Sequence, residues 1–453
     1  MTYDYKVGSV INSVAEPDSL ESKVPYVDNG TERLSPERYY SKDYMDQEWQ
    51  HLWTKAWQIA GVVSDIPEAG DFLVYTIRHE QIIVVRQDDD SVKAFYNVCP
   101  HRGNRLALTD FGSVANFTCA FHSWQFRISG ELKQITDEET FREEVICDRP
   151  GLKGVKCETL GGIIFINLDP DAAPLAERIG LPDGYLQAYR LDEMHVIRHT
   201  VSEWAANWKT GVDAFYESYH LHAVHPETQT VMGDLNVQYD LYPYGASRMI
   251  VPLGQKSPRV ADQESVDEGL QYMLMESGIN PEQFSGTADQ VREAMQKSKR
   301  ARAEKVGLDY NGLCDGQLTD SWATGIFPNV QIGLHVEGAF LMRFMPHPTD
   351  PEKFYYDTMT LFRPADDPNY TVPGWMGVPE GTDVSGDVRP QIERTKIGEP
   401  ANLGLVLDQD SELLPVVQQG IRSAGFDGPL WGEQEQRLRH FHAEIEAYLK
   451  GER

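Results

Sequence analysis

Between Cys99 and His122 the chain reads CPHRGNRLALTDFGSVANFTCAFH, a Cys-x-His and a Cys-x-x-His separated by a short loop. Whatever else the chain does, its fold must bring these two halves together so that two thiolates and two imidazoles reach one metal centre. On a [2Fe–2S] cluster, Cys99 and Cys119 hold the iron that stays ferric, and His101 and His122 hold the iron that accepts the electron. Exchanging two thiolates for neutral imidazoles raises the potential well above that of an all-cysteine cluster. Zinc is the alternative, because two cysteines and two histidines also make a zinc set. Zinc fingers, however, keep thiols and imidazoles in separate pairs, whereas here each half contributes one of each.

The segments Cys-Pro-His-Arg-Gly at 99–103 and Cys-Ala-Phe-His-Ser-Trp-Gln-Phe at 119–126 resemble the two halves of the Rieske iron–sulfur motif, including the Trp and the aromatic after the second histidine. Ser123 stands where many members of that family have glycine. Arg102, Gly103 and Trp124 also have an ordinary explanation as loop and core residues.

With 453 residues, 41% of them hydrophobic, the chain can form two or three domains with real cores. Seventy acidic against 41 basic side chains give a formal charge of −29, which disfavours nucleic acid and anionic membrane surfaces. The excess fits plain solubility, and equally an acidic face that meets a basic redox partner. No apolar run approaches the roughly 18 residues of a membrane helix, and MTYDYKVGSV is no secretion signal, so a cytoplasmic location without membrane attachment is expected. Besides Cys99 and Cys119, the scattered Cys147, Cys157 and Cys314 fit reduced thiols better than disulfides.

Residues 1–40 read as a polar N-terminal arm, 41–170 as a β domain bearing the cluster, and 171–453 as a second domain with a charged helical insertion at about 256–316. From Pro36 to Ala60, Tyr44, Trp49, Leu52, Trp53 and Trp57 recur at helical spacing and predict a helix over a sheet. The stretch DFLVYTIRHEQIIVVRQDDDSVKAFYNV predicts strands with a turn at Asp88–Ser91, and GGIIFINLD predicts another strand. A helix is expected over 203–224, and a solvated one in EQFSGTADQVREAMQKSKRARAEKVG. Antiparallel strands follow in NVQIGLHVEG, AFLMRFMPHP and KFYYDTMTLFRP, and a closing amphipathic helix at roughly 431–449.

The other informative stretch is NWKTGVDAFYESYHLHAVHP, residues 207–226. His220 and His225 are five apart, about 140° around an ideal helix, so both can bind one ion only if the helix ends or distorts between them. Pro226 and Val224 make such an ending reasonable. Ordinary helix histidines are the competing explanation. Beside a redox cluster, two histidines and a carboxylate suggest the open site of a non-haem Fe(II) oxygenase.

This segment resembles the catalytic motif of Rieske non-haem iron oxygenases, in which Asn-Trp-Lys leads into an acidic residue, two residues, His, four residues and His. The likeness implies that Glu217 is the carboxylate bridging the two centres across a subunit boundary, that Asp213 stands close to the iron, and that the third ligand is Asp410 in LDQDSELLPVVQQGIRS, with Asp408 as the fallback. An aspartate opening an apolar helix is otherwise an N-cap. Many ring-hydroxylating members carry Asp where this chain has Glu217, which is more like the choline- and carnitine-type branch.

The resemblance, to terminal oxygenase alpha subunits, implies an α+β fold: a Rieske β domain, then a catalytic domain with an antiparallel sheet flanked by helices, of helix-grip type. It implies a [2Fe–2S] cluster, mononuclear Fe(II), O2 as co-substrate, and NAD(P)H acting through a ferredoxin or flavin reductase. It further implies a homotrimer, α3 or α3β3, in which a monomer is inactive. The activity expected is hydroxylation or dihydroxylation of a small organic, aromatic substrate in catabolism. The alternatives are a monooxygenase acting on a quaternary amine or removing O- or N-methyl groups, and a Rieske electron carrier without oxygenase activity. A substrate pocket is expected near Ala214, Phe215 and Leu221 and on the strands at 329–362.

Overall fold

The computed structural model describes residues 20–367 and 370–453. The first part of the expected arm therefore lies outside the described residues. Its remainder is irregular but anchored: Val24 donates its N–H to Asp240 at 2.9 Å, and the Leu20 carbonyl accepts from buried Arg248 at 2.8 Å.

The helix expected over 36–60 is much shorter. A 3₁₀ turn at Pro36–Tyr39 precedes α1 (Lys42–Glu48), which Ser41 caps by accepting from the Tyr44 N–H; a π turn at Trp49–Trp53 follows. Residues after Trp57 enter β1 (Gln58–Val62), which is buried throughout. The helical period of the tryptophans ran into a strand because a strand buried on both faces has no alternation to show.

The first sheet is completed by β2 (Asp71–Ile77), β3 (Glu80–Arg86), β4 (Val92–Tyr96) and β5 (Phe111–Ser113), with β6 (Asn116–Thr118), β7 (Gln125–Arg127) and β8 (Leu132–Gln134) forming a separate small sheet. A single turn, α2 (Glu143–Ile146), precedes β9 (Gly154–Leu160) and β10 (Ile163–Asn167). The seven-stranded order is β1-β10-β9-β4-β3-β2-β5. The expected turn after β3 is present, with Asp90 at φ +63° and the Gln87 N–H on the Ser91 carbonyl at 2.8 Å.

The strands of the second sheet begin with β11 (His195–Trp204), so residues 203 and 204 end a strand and do not open a helix. Next come α3 (Trp208–Phe215) and α4 (Leu221–Val224), then β12 (Gln238–Leu241) and β13 (Ser247–Val251). The insertion holds α5 (Glu268–Glu276), α6 (Ala288–Val306) and α7 (Asp315–Thr319). α6 is less solvated than expected: Val291 and Met295 pack with Leu270 and Leu274 of α5 in a small core of their own.

β15 (Val330–Leu334), β16 (Gly338–Pro346) and β17 (Phe354–Phe362) form the expected antiparallel meander, which an unexpected strand, β14 (Ser321–Ile326), extends by pairing with β15. β18 (Glu393–Thr395) departs from that pattern by pairing parallel to β11. The eight-stranded order is β12-β13-β14-β15-β16-β17-β11-β18. The chain closes with α8 (Leu405–Ile421) and α9 (Gln436–Leu449). One core joins Trp208 and Val212 of α3, Leu414 of α8 and Phe441 of α9 to Phe344 and Tyr356 of the sheet, and extends to Trp53 and Leu73 of the first domain. Helices α3, α8 and α9 are thus pinned between sheet and first domain.

Candidate active site with two metal centres

The first pair of candidate ligands, Cys99 and His101, lies between β4 and β5, and the second, Cys119 and His122, between β6 and β7. Both loops have the same internal bonding. The Cys99 N–H reaches the Asn104 carbonyl at 2.8 Å and the Gly103 N–H returns to the Cys99 carbonyl at 3.0 Å; in the other loop the Cys119 N–H reaches Trp124 at 2.8 Å and the Ser123 N–H returns to Cys119 at 2.9 Å. Each turn needs a left-handed residue four positions after its cysteine, supplied by Gly103 at φ +76° and Ser123 at φ +60°. Buried Asn97 steadies the first loop by accepting the N–H groups of Leu106 and Ala107, both at 2.9 Å.

Cys99 and Cys119 are buried free thiols. Burial opposes the thiolate at both. At Cys119 the N–H groups of Phe121 and His122 outweigh it and bring the thiol down, whereas Cys99 stays raised. The His101 ring stacks on Trp124 at 4.8 Å and lies 4.6 Å from the His122 ring. The Nδ1 atoms of His101 and His122 are both buried without a hydrogen-bond partner. One orphaned nitrogen from each imidazole and two buried sulfurs fit a mixed thiolate–imidazole cluster. A single tetrahedral zinc ion would draw all four donors close together. They are not so gathered: among the described residues, the group of three or more His, Cys, Asp or Glu donors lying within 4.8 Å of one another is His220, His225 and Asp410.

That second set is built on a broken helix. Asn207 caps α3 by accepting the Lys209 N–H at 2.9 Å, and α3 ends at Tyr216. His220 precedes α4, and His225 follows it with φ −122° and ψ 58°, outside the helical region. The interruption demanded by the five-residue spacing is therefore present, and the two rings lie 5.2 Å apart. Asp410 sits inside α8, its Oδ1 at 3.2 Å from His225 Nε2 and 3.9 Å from His220 Nε2. It is no N-cap. Asp408 instead accepts the Leu403 N–H at 3.1 Å, near the start of α8.

Both histidines have their other nitrogen fixed. His220 Nδ1 donates to Glu217 Oε1 at 2.5 Å, and His225 Nδ1 donates to Gln409 Oε1 at 2.6 Å. In the neutral ring each bond puts the proton on Nδ1 and leaves Nε2 free to bind, and both Nε2 atoms face Asp410 Oδ1, as ligand histidines require. Burial pulls both imidazoles down, but Glu217 and Asp410 at His220, and Asp410 and Gln409 at His225, outweigh it and hold them above the ordinary value. His225 Nε2 is buried and without a hydrogen-bond partner, which suits an ion between it and Asp410.

A groove of about 440 Å³ runs from the surface to this set, lined by Asp213, Glu217, His220 and Asp410 with apolar walls from Leu413, Leu414, Val417 and Trp431. Asp213 accepts from the Tyr39 hydroxyl at 2.6 Å and His442 Nε2 at 2.9 Å. Burial, with the charges of Glu217 and Asp213 added, pushes Glu435 in the same groove up to about 7. Of the residues expected around a pocket, Ala214 lines the groove; Phe215 packs against Phe344 and Tyr356 at 5.2 and 5.3 Å, and neither it nor Leu221 reaches the groove wall. A second cavity, of about 550 Å³, lies between the two sheets and shares no lining residue with the groove.

Sequence reasoning missed Gln409, Tyr39, His442 and Glu435. Only Gln409 had a signal, its place directly before Asp410.

Fold and site define a chain with a thiolate–imidazole cluster centre in one domain and a two-histidine, one-carboxylate centre in the other. Residues 56–148 match the family described as Rieske [2Fe-2S] domain, and residues 191–451, more than half the chain, match the ring hydroxylating alpha subunit (catalytic domain). The chain belongs to the Rieske non-haem iron oxygenase alpha subunits. It is 32% identical to the glycine betaine monooxygenase oxygenase subunit of Pseudomonas aeruginosa (strain UCBPP-PA14) over 42% of this chain and 44% of that one. It is 30% identical to the biphenyl 2,3-dioxygenase subunit alpha of Rhodococcus jostii (strain RHA1) over 43% of each. The chain thus matches less than half the length of these relatives. The solved structure of a quaternary ammonium Rieske monooxygenase, described as bearing on carnitine oxidation and inter-subunit electron transfer, superposes with a TM-score of 0.65 at 18% identity, covering 94% of this chain and 99% of that one.

Proposed function

We propose that this chain is a terminal oxygenase that uses O2 and electrons from a reductase to hydroxylate a small organic substrate, with a quaternary ammonium compound as the leading substrate class. The observation that carries the oxygenase reading is the contact of Glu217 with His220 Nδ1 at 2.5 Å on the wall of a groove that also reaches Asp410. In this reading Cys99, His101, Cys119 and His122 hold the [2Fe–2S] cluster, and His220, His225 and Asp410 hold Fe(II). When bound, the cluster stores single electrons and the Fe(II) activates dioxygen. Glu217 keeps the Nδ1 proton of His220 in place, so that Nε2 remains a ligand and the ring cannot turn. Gln409 does the same for His225. Asp213, held by Tyr39 and His442, keeps a fixed carboxylate on the groove wall, and Leu413, Leu414 and Val417 give the wall beside it an apolar surface.

The quaternary ammonium reading is favoured over the aromatic one by the glycine betaine monooxygenase relative and by Glu217 itself. The aromatic reading remains second, supported by the biphenyl dioxygenase relative. Monooxygenation consumes one O2, two electrons and two protons, and yields the hydroxylated product and water. The electrons come one at a time from a ferredoxin or flavin reductase that draws on NAD(P)H. The working assembly is a homotrimer, α3 or α3β3, in which the His122 edge of one copy faces the Glu217 groove of the next. Exposed Phe121 and Leu108 at the cluster tip, and Val416 and Val417 beside the groove, suit such a contact. Oxygen uptake by the purified protein with a surrogate reductase tests the reading. Glycine betaine or carnitine should stimulate uptake with stoichiometric product, whereas stimulation by biphenyl alone favours the aromatic reading, and product from neither class removes both.

A further inference from the structure

Arg437, on α9, is wholly buried, and no carboxylate among the described residues lies within 4.0 Å of its guanidinium. The other deeply buried cations near the site have such a partner: Lys209 has Glu48 at 2.6 Å and Arg248 has Asp240 at 2.6 Å. Arg437 instead meets only neutral acceptors. Its Nε donates to Ser247 Oγ at 3.0 Å, its Nη1 to the Tyr216 carbonyl at 3.3 Å, and Nη1 and Nη2 reach Gln331 Oε1 at 3.4 and 3.5 Å. The guanidinium also lies 4.3 Å from the centre of the Tyr216 ring. Burial holds its pKa down, to about 10, so it remains charged at neutral pH.

A buried cation without an anion is expensive and needs compensation from dipoles and ring faces. The carbonyl it meets closes α3, the negative end of that helix, where a cation is favoured. The next residue is Glu217, and the turn from Tyr216 to His220 carries both side chains toward the groove. Tyr216 is also held at its hydroxyl, which donates to the Val330 carbonyl at 2.7 Å, and Ser218 is held by Tyr239 at 2.6 Å. Arg437 thus fixes the first peptide of the turn, as Ser218 fixes its middle.

We propose that Arg437 is a positioning residue whose charge and planar fork, set on the Tyr216 carbonyl and ring, hold the 216–220 turn so that His220 presents Nε2 to an ion shared with His225 and Asp410. This rests on the reading of those three residues as metal ligands and is independent of any bridging role for Glu217. A core residue without this role would change stability and leave the metal site alone.

The test uses the full-length protein with its cluster intact, the mononuclear site emptied by chelation and titrated with Co(II). Its readouts are the Co(II) dissociation constant and the ligand-field absorption band, with the thermal midpoint and cluster absorption reporting the fold. Arg437→Gln should bind Co(II) about tenfold more weakly, as expected for the loss of an outer support of a metal ligand, and show a broadened band. Arg437→Lys keeps the charge without the fork and should fall between it and the native protein. Native Co(II) affinity and band shape in Arg437→Gln overturn the proposal. Should that variant fail to fold, Arg437→Lys decides in the same way: weaker Co(II) binding at an unchanged thermal midpoint supports the role, and native binding overturns it. His220→Ala should abolish Co(II) binding; if it binds like the native protein, the ligand reading itself has failed and the proposal falls with it.

Discussion

Ser123 occupies a position where its loop demands a left-handed backbone, which Gly103 fills without strain in the matching loop. An L side chain there costs about 1 kcal/mol relative to glycine. Ser123→Gly is therefore expected to raise the stability of the cluster loop by up to that amount, read as slower bleaching of cluster absorption in denaturant; faster bleaching would show that the serine hydroxyl supports the loop. The departure from the family pattern was visible in the sequence, but not that the loop geometry had been kept at a small backbone cost. Asp410 was legible only by resemblance, since an aspartate in an apolar helical stretch is ordinarily a cap. The structure places it inside α8 beside His225 and leaves the Leu403 N–H to Asp408. Tyr39 and His442 could not have been found, because they reach Asp213 from 174 and 229 residues away along the chain.

Helix α3 shows what its Asn-Trp-Lys opening does. Asn207 caps the helix, its N–H is taken by Gln418 of α8 at 2.9 Å, and Trp208 Nε1 and Lys209 Nζ both reach Glu48 of α1, at 3.2 and 2.6 Å. The helix that leads into the His220–His225 turn is thereby tied to the N-terminal segment and to the helix that carries Asp410. Lys209→Met leaves Glu48 buried without its cation and should cost about 3–5 kcal/mol in denaturant unfolding. Adding Glu48→Leu to it should recover much of that loss, and a double variant no better than the single would assign the cost to packing instead. The strands β15 to β17 were legible from their apolar, β-branched and aromatic runs set between turn residues, although they are buried almost throughout. The helix expected over 203–224 ends at Val224 as expected but starts later and is interrupted after Phe215: residues 203 and 204 are held in β11 by pairing with β17, a long-range contact that local periodicity cannot register.

On the scale of the whole molecule, the two sheets meet through a chain of buried charges. Arg343 pairs with Asp357 at 2.7 Å, Asp357 accepts from His199 Nε2 at 2.9 Å, and Arg389 donates to His199 Nδ1 at 2.8 Å while also pairing with Asp65 of the first domain. Nδ1 must stay unprotonated to accept from Arg389. Burial pulls His199 below its ordinary value of 6.5, the neighbouring Arg389 and Arg343 add to this, and Asp357 opposes it. The unfolded chain then binds a proton near 6.5 that the folded chain refuses, so this contribution is present above that pH and is lost as pH falls below it. The thermal midpoint should fall on acidification from about pH 7 to 5 more steeply in the native protein than in His199→Gln, whose amide offers one donor and one acceptor at any pH. Equal slopes would mean that His199 does not titrate in this window. Among the described residues no helix is long and apolar enough to cross a membrane.

Whether one chain carries two separate iron centres is decided by metal analysis with acid-labile sulfide, on the native protein and on His220→Ala. Two centres give about three irons and about two sulfides per native chain, and about two of each in the variant. Two irons in the native chain, with no loss on changing His220, would contradict a second centre and leave an electron carrier in place of an oxygenase.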